Sequence, residues 1–479
     1  MLWFCFTTYF NRRKMPPGPF PLPIIGNIHQ TGSNPPFSME NLREKYGDIY
    51  TVTFPIGTFV IVNNGQVARE LMSKDDFASR PGATTFPSME VFEGKNIVYS
   101  DLGPNYIFRR KIVTSALHVF GEGVQLAEER VNFEIQELLD RLHATNGQAF
   151  CIREQLSMTM INVIMEWLFS KRYEFGHPNL RMLADLDEKM MTLFRQGSFY
   201  QVLPFLKYLP NTSISSCLEE VIKIRDDFLA KELKDHYKTR QDDVIRDITD
   251  ALLAAFEKEK LKSPNRDIGS YEDIKYLLVD IVIGATGTIT STLTWMILFL
   301  VLNQDVQKKL HQELDDVIGK ERLPCWKDGE DLPYLFATIC ETMRYSVFIP
   351  CLPRRANKDA VIQGYHIPKD TGILINLWQI QTNSKDWKDT ELFKPERFLD
   401  NDGKFLGWNT VSNFIPFGAG RRVCLGQGLG KMDTFAAASR MLHHFRFDIP
   451  PGEAKPTREG ITGLIRFPKN TKISAYPRT

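Results

Sequence analysis

An apolar run from Leu277 to Leu302 constrains the fold more than any other feature of the sequence, because its only charged residue is Asp280. As a helix, this run would be long enough to cross a bilayer. Its middle, however, contains Gly284 and Gly287, and a glycine inside a helix costs roughly 1 kcal/mol relative to alanine. We therefore predict a buried central helix whose glycines leave room for a group lying flat against the backbone.

The other patterns predict a mainly α protein with a small β region. Amphipathic spacing favours helices, and short β-branched and aromatic runs favour strands. The expected helices are 128–142, 218–237 and 429–444, the expected strands are 49–54, 59–62 and 361–368, a turn follows at 63–65, and the tail is expected to form a hairpin that ends near Arg478. No repeat or linker divides the chain. We therefore expect a short N-terminal segment, 1–14, and a single domain over 15–479.

Composition excludes several classes of protein. The 479 residues carry a net charge of +1, which is not the charge of a nucleic-acid-binding protein. The 7 cysteines include no Cys-x-x-Cys pair, so a disulfide framework is not expected and a reducing, cytosol-facing compartment is favoured. No phosphate-binding loop, catalytic serine triad, or flavin or nicotinamide motif is visible. The chain therefore has no evident source of electrons of its own.

The N-terminus has the pattern of a membrane-associated segment. Residues 1–10 are apolar, and Arg12, Arg13 and Lys14 follow them. Ten residues cannot span a bilayer, which needs about 20, but a basic cluster after an apolar stretch fits the cytoplasmic face of a membrane. A second apolar stretch at 199–209 could dip into the interface. We predict attachment to a membrane on its cytosolic side, and a disordered tail is the alternative.

The strongest chemical signal is the loop from Phe417 to Gly426, which surrounds Cys424 with three glycines and two arginines. Glycines at 418, 420 and 426 would let the backbone turn tightly around the sulfur. A helix start and nearby positive charge would stabilise a thiolate, which is what an axial iron ligand needs. The alternative is an ordinary buried cysteine with no chemical role. Zinc is disfavoured because no second cysteine or histidine lies at ligand spacing.

This loop matches the Phe-x-x-Gly-x-Arg-x-Cys-x-Gly loop of the cytochrome P-450 family, and the chain resembles its microsomal drug- and steroid-metabolising members. Three further landmarks follow the family order: Pro16–Pro19, the Glu-x-x-Arg element Glu341–Arg344, and the element Pro395–Phe398. The resemblance implies a triangular prism of helices with a small β region. It also implies haem b (iron protoporphyrin) ligated by Cys424, NADPH-cytochrome P-450 reductase as partner, and the endoplasmic reticulum membrane.

The resemblance also assigns residues to the cofactor and to its support. It implies that arginines bind the haem propionates, and that a buried trio of charged residues supports the haem loop. Tyr106 stands where the family usually has tryptophan, and a phenol can still donate one hydrogen bond to a carboxylate. The cofactor-binding candidates are Cys424, Arg422, Arg110, Arg354, Tyr106, Phe417 and Gly418, and the supporting trio is Glu341, Arg344 and Arg397. For each arginine alone, a solvated surface charge is the alternative.

The central helix resembles the family element that activates oxygen. Aligned without gaps, Thr288 takes the position of the catalytic threonine, whose hydroxyl would help deliver protons. The family has an acid immediately before it, and Gly287 stands there instead. Water or a neighbouring threonine would have to replace the acid. We expect an active but imperfectly coupled enzyme, although threonines that merely bond back to the helix are the structural alternative.

The function implied is insertion of one oxygen atom into a lipophilic substrate, with electrons from a separate reductase docking near Arg109, Lys111 and Lys431. By resemblance, five segments would contact the substrate: 86–98, 183–199, the helix near 284–288, 347–352 and 461–465. They are mostly apolar, which suits a steroid, fatty acid or xenobiotic. Two alternatives stay open: a haem-thiolate isomerase or dehydratase that needs no reductase, and a non-enzymatic haem protein.

Overall fold

The computed structural model of the protein describes residues 12–32, 37–81, 87–121, 124–202, 213–241, 244–262, 264–265, 267–469 and 472–478. Helices form most of this part, as the sequence predicts. The α-helices are α1 Ile28–Thr31, α2 Glu40–Tyr46, α3 Gly65–Ser73, α4 Pro104–Gly121, α5 Val124–Ala144, α6 Ile152–Phe169, α7 Pro178–Val202, α8 Ser213–Lys223, α9 Ala230–Thr239, α10 Ile248–Lys262, α11 Ile274–Leu302, α12 Gln304–Val317, α13 Pro333–Ser346, α14 Leu377–Thr382 and α15 Gln427–His444.

Helix α11 is the axis of the fold and contacts α6, α13 and α15. The segment Tyr271–Leu302 is long and apolar enough to cross a membrane, yet 83% of its most apolar stretch is buried inside the fold. The prediction of a buried central helix is therefore confirmed. Ser291 and Trp295, both fully buried, donate hydrogen bonds of 2.8 and 2.9 Å to the carbonyl of Arg466. These bonds fix the C-terminal strands against the helix.

The strands form small sheets at the periphery. They are β1 Ile49–Phe54, β2 Gly57–Val62, β3 Phe150–Cys151, β4 Leu352–Arg355, β5 Ala360–Ile362, β6 Tyr365–Ile367, β7 Gly372–Ile375, β8 Phe445–Asp448, β9 Gly460–Thr462, β10 Arg466–Pro468 and β11 Lys472–Pro477. The largest sheet has the order β1-β2-β7-β4, in which β2 and β7 are parallel and the other pairs antiparallel. It packs around Val60, Val62 and Ile373 and carries Arg354 on its last strand.

Several predicted boundaries are wrong for local reasons. The expected turn at 63–65 is the start of α3, because the Asn64 side chain caps the helix by accepting from the amides of Gln66 and Val67. The expected strand at 361–368 is a hairpin of β5 and β6 that turns at Gln363 and Gly364, both with positive φ. The tail strand β11 pairs with β8 and β3 rather than forming a hairpin by itself.

The predicted helix over 218–237 is interrupted. Helix α8 passes into a π-helical segment, Ile224–Leu229, before α9 begins. Amphipathic spacing continues across the segment, so the sequence pattern alone did not reveal the change of helix type.

Candidate active site

A mostly apolar cavity lies between α11 and the loop that precedes α15. The described parts of all five predicted substrate segments contribute to its wall. They supply Phe92, Ile97, Val98, Met190, Phe194, Gly284, Thr288, Phe348, Ile349, Leu352, Leu464 and Ile465. Residue 86 and the side chains of 196–199 lie outside what the structure describes. Such a wall suits a lipophilic ligand, because it has few polar groups that would hold water in the cavity.

The thiol loop turns at two glycines. Gly418 and Gly420 have φ values of 71° and 66°, and a Cβ on Gly420 would lie 2.0 Å from the carbonyl oxygen of Met72. No other residue fits that conformation and that close approach. The amide of Cys424 closes the loop by donating to the carbonyl of Phe417 at 2.9 Å. Gly426, by contrast, has an ordinary φ of −88° and open space around it, so its expected conformational role is wrong.

The Cys424 thiol is exposed to the cavity and lies in its wall. Burial raises its pKa, while a hydrogen bond from the Gly426 amide and the charges of Arg110 and Lys431 act in the opposite direction. The Gly426 amide of the loop therefore favours the thiolate, as expected, while burial opposes it. Arg421, expected to help, pairs with Asp75 at the surface instead. A bound metal would deprotonate the thiol, because a cation favours the charged form directly.

Four arginines meet at one edge of the cavity: Arg80, Arg110, Arg354 and Arg422. They donate to carbonyl oxygens, and Arg422 alone contacts those of Ala78, Ile97 and Ser100. None forms an ion pair with a carboxylate in the part of the chain that the structure describes. Burial and mutual repulsion lower the pKa of Arg354 well below its usual range and that of Arg80 to about 10. Such a cluster is unfavourable unless a ligand brings negative charge.

The Tyr106 hydroxyl contacts two groups of the protein. The phenol donates to the carbonyl of Arg421 at 3.2 Å and accepts from Nη1 of Arg110 at 3.4 Å. The Arg422 guanidinium lies 3.7 Å from the centre of the Tyr106 ring. The structure therefore gives this tyrosine the role of holding two arginines in place, because its single proton is already donated within the protein.

Glu341, Arg344 and Arg397 form a second buried charged group. Arg344 binds Glu341 through two hydrogen bonds of 2.6 and 2.7 Å, and both side chains are fully buried. Nε of Arg397 lies 3.4 Å from Oε1 of Glu341 without the alignment of a hydrogen bond, so that contact is electrostatic. The amide of Lys394 also donates to Glu341 at 2.9 Å. These contacts join α13 to the element Pro395–Phe398.

On α11, the wall of the cavity is formed by Gly284 and Thr288. A Cβ on Gly284 would meet no atom within 4 Å, so this helix surface is open as predicted. The Thr288 hydroxyl donates to the carbonyl of Gly284 at 2.8 Å. Gly287 is buried and is not part of the wall. The structure thus brings Thr288 to the cavity, but not the position where the family carries its acid.

Sequence reasoning missed two charged residues at this site. Arg80 completes the arginine cluster, but a single arginine between Ser79 and Pro81 gives no signal by itself. Asp280 was noticed only as the charge inside an apolar helix. It lines the cavity, and burial raises its pKa to about 6 although three donors oppose the shift. A buried charge in a core helix was the signal that could have identified it.

A thiol facing an apolar cavity, beside an edge of arginines that no carboxylate of the described residues pairs with, suits a flat, apolar, acidic prosthetic group. The sequence matches the cytochrome P450 family over residues 16–475, and the chain belongs to that family. It is therefore a haem-dependent monooxygenase, an oxidoreductase that incorporates oxygen from O₂ into its substrate.

Named relatives align along almost the whole chain. A steroid 17-alpha-hydroxylase/17,20 lyase of Ictalurus punctatus is 34% identical over 473 residues, which cover 97% of this chain and 91% of the relative. Cytochrome P450 2E1 of Mesocricetus auratus is 34% identical over 481 residues, 98% and 95% of the two chains. Cytochrome P450 1A1 of Sparus aurata is 33% identical over 454 residues, 91% and 86% of the two.

The family implies a haem-iron cofactor, and the described residues fit it. The arginine cluster lacks the negative charge that two propionates would bring. The open surface at Gly284 leaves space on one side of a flat group, and the cavity-facing thiol of Cys424 is a suitable ligand on the wall.

Proposed function

We propose that the protein binds haem b with Cys424 as the axial ligand of its iron, and that it hydroxylates a lipophilic molecule of about the size of a steroid. The cavity-facing Cys424 beside a cationic edge is the observation that carries the proposal. Arg80, Arg110, Arg354 and Arg422 would receive the propionates. The bound haem supplies the activation of dioxygen, which no side chain of the protein performs.

The protein's own residues orient the ligand and manage protons. Phe417 and Gly418 shape the thiol loop, and Cys424 donates electron density toward the cofactor. Thr288 has its hydroxyl on the cavity wall, and turning away from the Gly284 carbonyl would let it pass a proton from water to the reacting face. The apolar wall would hold the substrate and keep bulk water from the reacting atoms. Glu341, Arg344 and Arg397 would keep the thiol loop in position from behind.

Replacement of the thiol tests this proposal. Cys424→His should bind haem without the strongly red-shifted carbon monoxide band of a thiolate complex. Cys351→Ser is the matched control, since Cys351 is a second thiol on the same wall and burial raises its pKa to about 12. That control should keep the band. A thiolate spectrum that survives in Cys424→His, or disappears in Cys351→Ser, would contradict the assignment.

The substrate class is proposed from the wall and from the relatives. Two of the three relatives described above are named as cytochromes P450, and one is named as a steroid hydroxylase. Steroids, fatty acids and apolar xenobiotics should be titrated against the haem spectrum. Each ligand that shifts it should then be offered with NADPH and a reductase. Turnover that proceeds without NADPH would instead favour the isomerase or dehydratase reaction.

NADPH-cytochrome P-450 reductase is the proposed electron donor. A groove on the outer side of α4 is lined by Arg110, Lys111, His118 and Arg421, which gives it a basic character. Lys111 is exposed and pairs with Glu259. Of the residues expected at this surface, Arg109 turns inward toward the carbonyl of Gly94, and Lys431 lies over the rings of Trp408 and Phe417. The proposed docking surface is therefore the α4 groove.

Attachment to the cytosolic face of the endoplasmic reticulum membrane is also proposed. A tight turn, Leu22–Gly26, exposes Leu22, Ile24 and Ile25, and Ile24 is 90% exposed. Arg12 donates to the carbonyls of Pro19 and Thr51, so this basic residue lies close to the turn. Exposed apolar side chains next to basic residues suit a lipid surface. The stretch 203–209 lies outside the described residues.

A vesicle flotation assay tests the membrane proposal. The double variant Leu22→Ser, Ile24→Ser should float less with vesicles of phosphatidylcholine and phosphatidylserine than the unmodified protein. Leu261→Ser is the matched control, because Leu261 is 83% exposed on α10, and it should float normally. Full-length protein that stays wholly soluble in cell fractions at low and high salt would contradict attachment.

A further inference from the structure

A connected series of aromatic rings begins at the cavity wall. Phe417 lines the cavity, and its carbonyl accepts from the amide of Cys424. The centre of its ring lies 5.7 Å from that of Trp408. The Phe336 ring lies 5.9 Å from both Trp408 and Trp326. The series, here called the aromatic chain, comprises Trp326, Phe336, Phe405, Trp408, Phe417 and Phe435.

The aromatic chain contains two side chains that can be oxidised, Trp326 and Trp408. Both are partly exposed, and Phe336 lies between them. Rings whose centres are about 4.5–7 Å apart are in packing contact, and electrons pass readily between groups so close. Tryptophan loses an electron far more easily than phenylalanine does. An electron removed at the cavity wall can therefore be replaced from Trp408, and that one in turn from Trp326.

Charges beside the two tryptophans give this path a direction. Nζ of Lys431 lies 4.9 Å from the ring centre of Trp408. A cation over an indole ring is attracted to its electrons and opposes their removal. At the other end, the amide of Trp326 donates to Oε1 of Glu128 at 2.7 Å, so a negative charge lies near this residue. The oxidised state is thus more stable at Trp326, and oxidation moves outward from the cavity.

We propose that the aromatic chain discharges oxidising equivalents that no substrate has consumed. Electrons pass from Trp326 through Trp408 to the cavity, and a small reductant at the surface restores Trp326. This inference rests on the proposed function, because the bound haem is the source of the oxidant. The expected release of peroxide, with Gly287 in place of the family's acid, gives the chain a purpose.

The electrons and protons of this step balance. Hydrogen peroxide takes up two electrons and two protons and gives two molecules of water. Each electron comes from the indole of Trp326, whose N–H releases one proton as the radical forms. Ascorbate returns one electron and one proton to that radical. Without ascorbate, the radical combines with dioxygen, and the residue keeps oxygen as a permanent mark.

Peptide mass spectrometry of haem-loaded protein tests the path. Hydrogen peroxide is added without substrate or ascorbate, and the oxygen gained at each tryptophan is measured. Trp326 should gain more than Trp378, a partly exposed tryptophan outside the aromatic chain. Trp408→Phe keeps a ring that is not oxidised, so oxygen at Trp326 should fall to the level of Trp378 and the haem should bleach faster.

The matched control for Trp408→Phe is Trp378→Phe. Trp378 also has a cation beside its ring, since the Arg466 guanidinium lies 5.3 Å from its centre. This control should leave the oxygen gained at Trp326 and the rate of haem bleaching unchanged. Unchanged oxidation of Trp326 in Trp408→Phe, or an equal fall in Trp378→Phe, would overturn the proposal.

The direction of the path is tested by Lys431→Met, which keeps all the rings and so does not depend on the folding of Trp408→Phe. The ratio of oxygen at Trp408 to oxygen at Trp326 should rise about tenfold, because the charge that opposes oxidation of Trp408 is removed. Lys431→Arg keeps the charge and should keep the ratio. An unchanged ratio in Lys431→Met would overturn the outward direction.

The haem spectrum separates this proposal from the proposed function. Unmodified protein that binds no haem would refute both together. Normal haem loading and peroxide consumption, with oxygen spread evenly over Trp326 and Trp378, would refute the aromatic chain alone.

Discussion

The described part of the chain contains two groups of buried arginines, and a carboxylate of that part neutralises only one of them. Glu341 neutralises the charge of Arg344 and accepts two hydrogen bonds from its guanidinium. Arg354 and its neighbours Arg80 and Arg422 repel one another, and no carboxylate pairs with them in the described part of the chain. The first group is complete within the protein. The second would be neutralised by a bound ligand that carries acidic groups, such as the proposed haem.

This difference distinguishes a buried charge that stabilises the fold from a buried charge that can bind a ligand. Burial is similar in the two groups, since Arg344 and Arg354 are among the largest fully buried side chains. What differs is the presence of the counter-charge. A buried arginine with a bound acid supports the fold, whereas one without an acid indicates a site. The predictions below test that distinction through variants on the two sides.

The largest effect is expected in the neutralised group. Glu341→Gln leaves Arg344 buried without its charge partner, so the free energy of unfolding should fall by about 3–5 kcal/mol. Urea unfolding followed by tryptophan fluorescence measures this. Glu396→Gln is the control, because Glu396 pairs with Lys309 at the surface and should cost less than about 1 kcal/mol. Equal losses of unfolding free energy in Glu341→Gln and Glu396→Gln would contradict the structural role of the buried Glu341–Arg344 pair.

A gain in stability is expected when an arginine is removed from the group that lacks carboxylate partners. Arg354→Met removes an uncompensated buried charge, so the haem-free protein should gain about 1–3 kcal/mol of stability. The same variant should lose haem to an acceptor protein, with affinity reduced roughly ten- to hundredfold through the missing charged hydrogen bonds. Arg355→Met is the control, since Arg355 pairs with Asp101 and Asp370 instead. Destabilised haem-free protein with normal haem retention would refute the binding role of Arg354.

A smaller effect is expected at Thr288, whose hydroxyl the chain satisfies through the Gly284 carbonyl until a ligand is present. Thr288→Ala should lower product formed per NADPH about tenfold, with hydrogen peroxide rising, because general acid assistance is lost while water still reaches the site. Thr292→Ala is the control, since Thr292 lines the same wall one turn further along α11. If Thr288→Ala leaves the ratio of product to NADPH unchanged, Thr288 has no part in proton delivery.

The smallest effect is expected in another neutralised group, around His236, whose described residues do not line the cavity. Nδ1 of His236 lies 2.9 Å from the Glu232 carbonyl and Nε2 lies 2.8 Å from Asp247, so both nitrogens face acceptors. The pKa of His236 is raised: burial lowers it, but contacts with Asp247, the Glu232 carbonyl and Asp250 together outweigh burial. A raised pKa means that this stabilisation is fully present below about pH 6.5, the unfolded value. It is lost as pH rises through the higher folded value.

Thermal unfolding against pH measures this contribution. His236→Gln should lose roughly 1 kcal/mol at acid pH, the usual net value of a hydrogen bond, and less at alkaline pH. His366→Gln is the control, because His366 is exposed and 3.7 Å from Asp359. A loss in His236→Gln that is independent of pH would show that protonation of His236 does not matter.

Much of the fold follows from the sequence because its signals are local. The uninterrupted apolar run identified the central helix to within a few residues, and the predicted last helix, 429–444, is also correct to within a few residues, since a helix depends on hydrogen bonds between residues four apart. The thiol loop was recognisable because Gly418 and Gly420 are required by its own backbone. The turn predicted at 63–65 is wrong because asparagine is common both in turns and at helix N-caps. In the structure, Asn64 caps helix α3.

The sequence by itself determined the helices, the thiol loop and the family, because each depends on residues near one another in the chain. Only the tertiary structure decided which charges are neutralised. Arg354 and Arg422 are far apart in sequence, and so are Asp280 and Ile97, yet each pair shares one site. Whether a buried arginine finds an acid depends on which distant segments meet. Coulombic interaction depends on distance in space, whereas the pattern of a sequence records only distance along the chain.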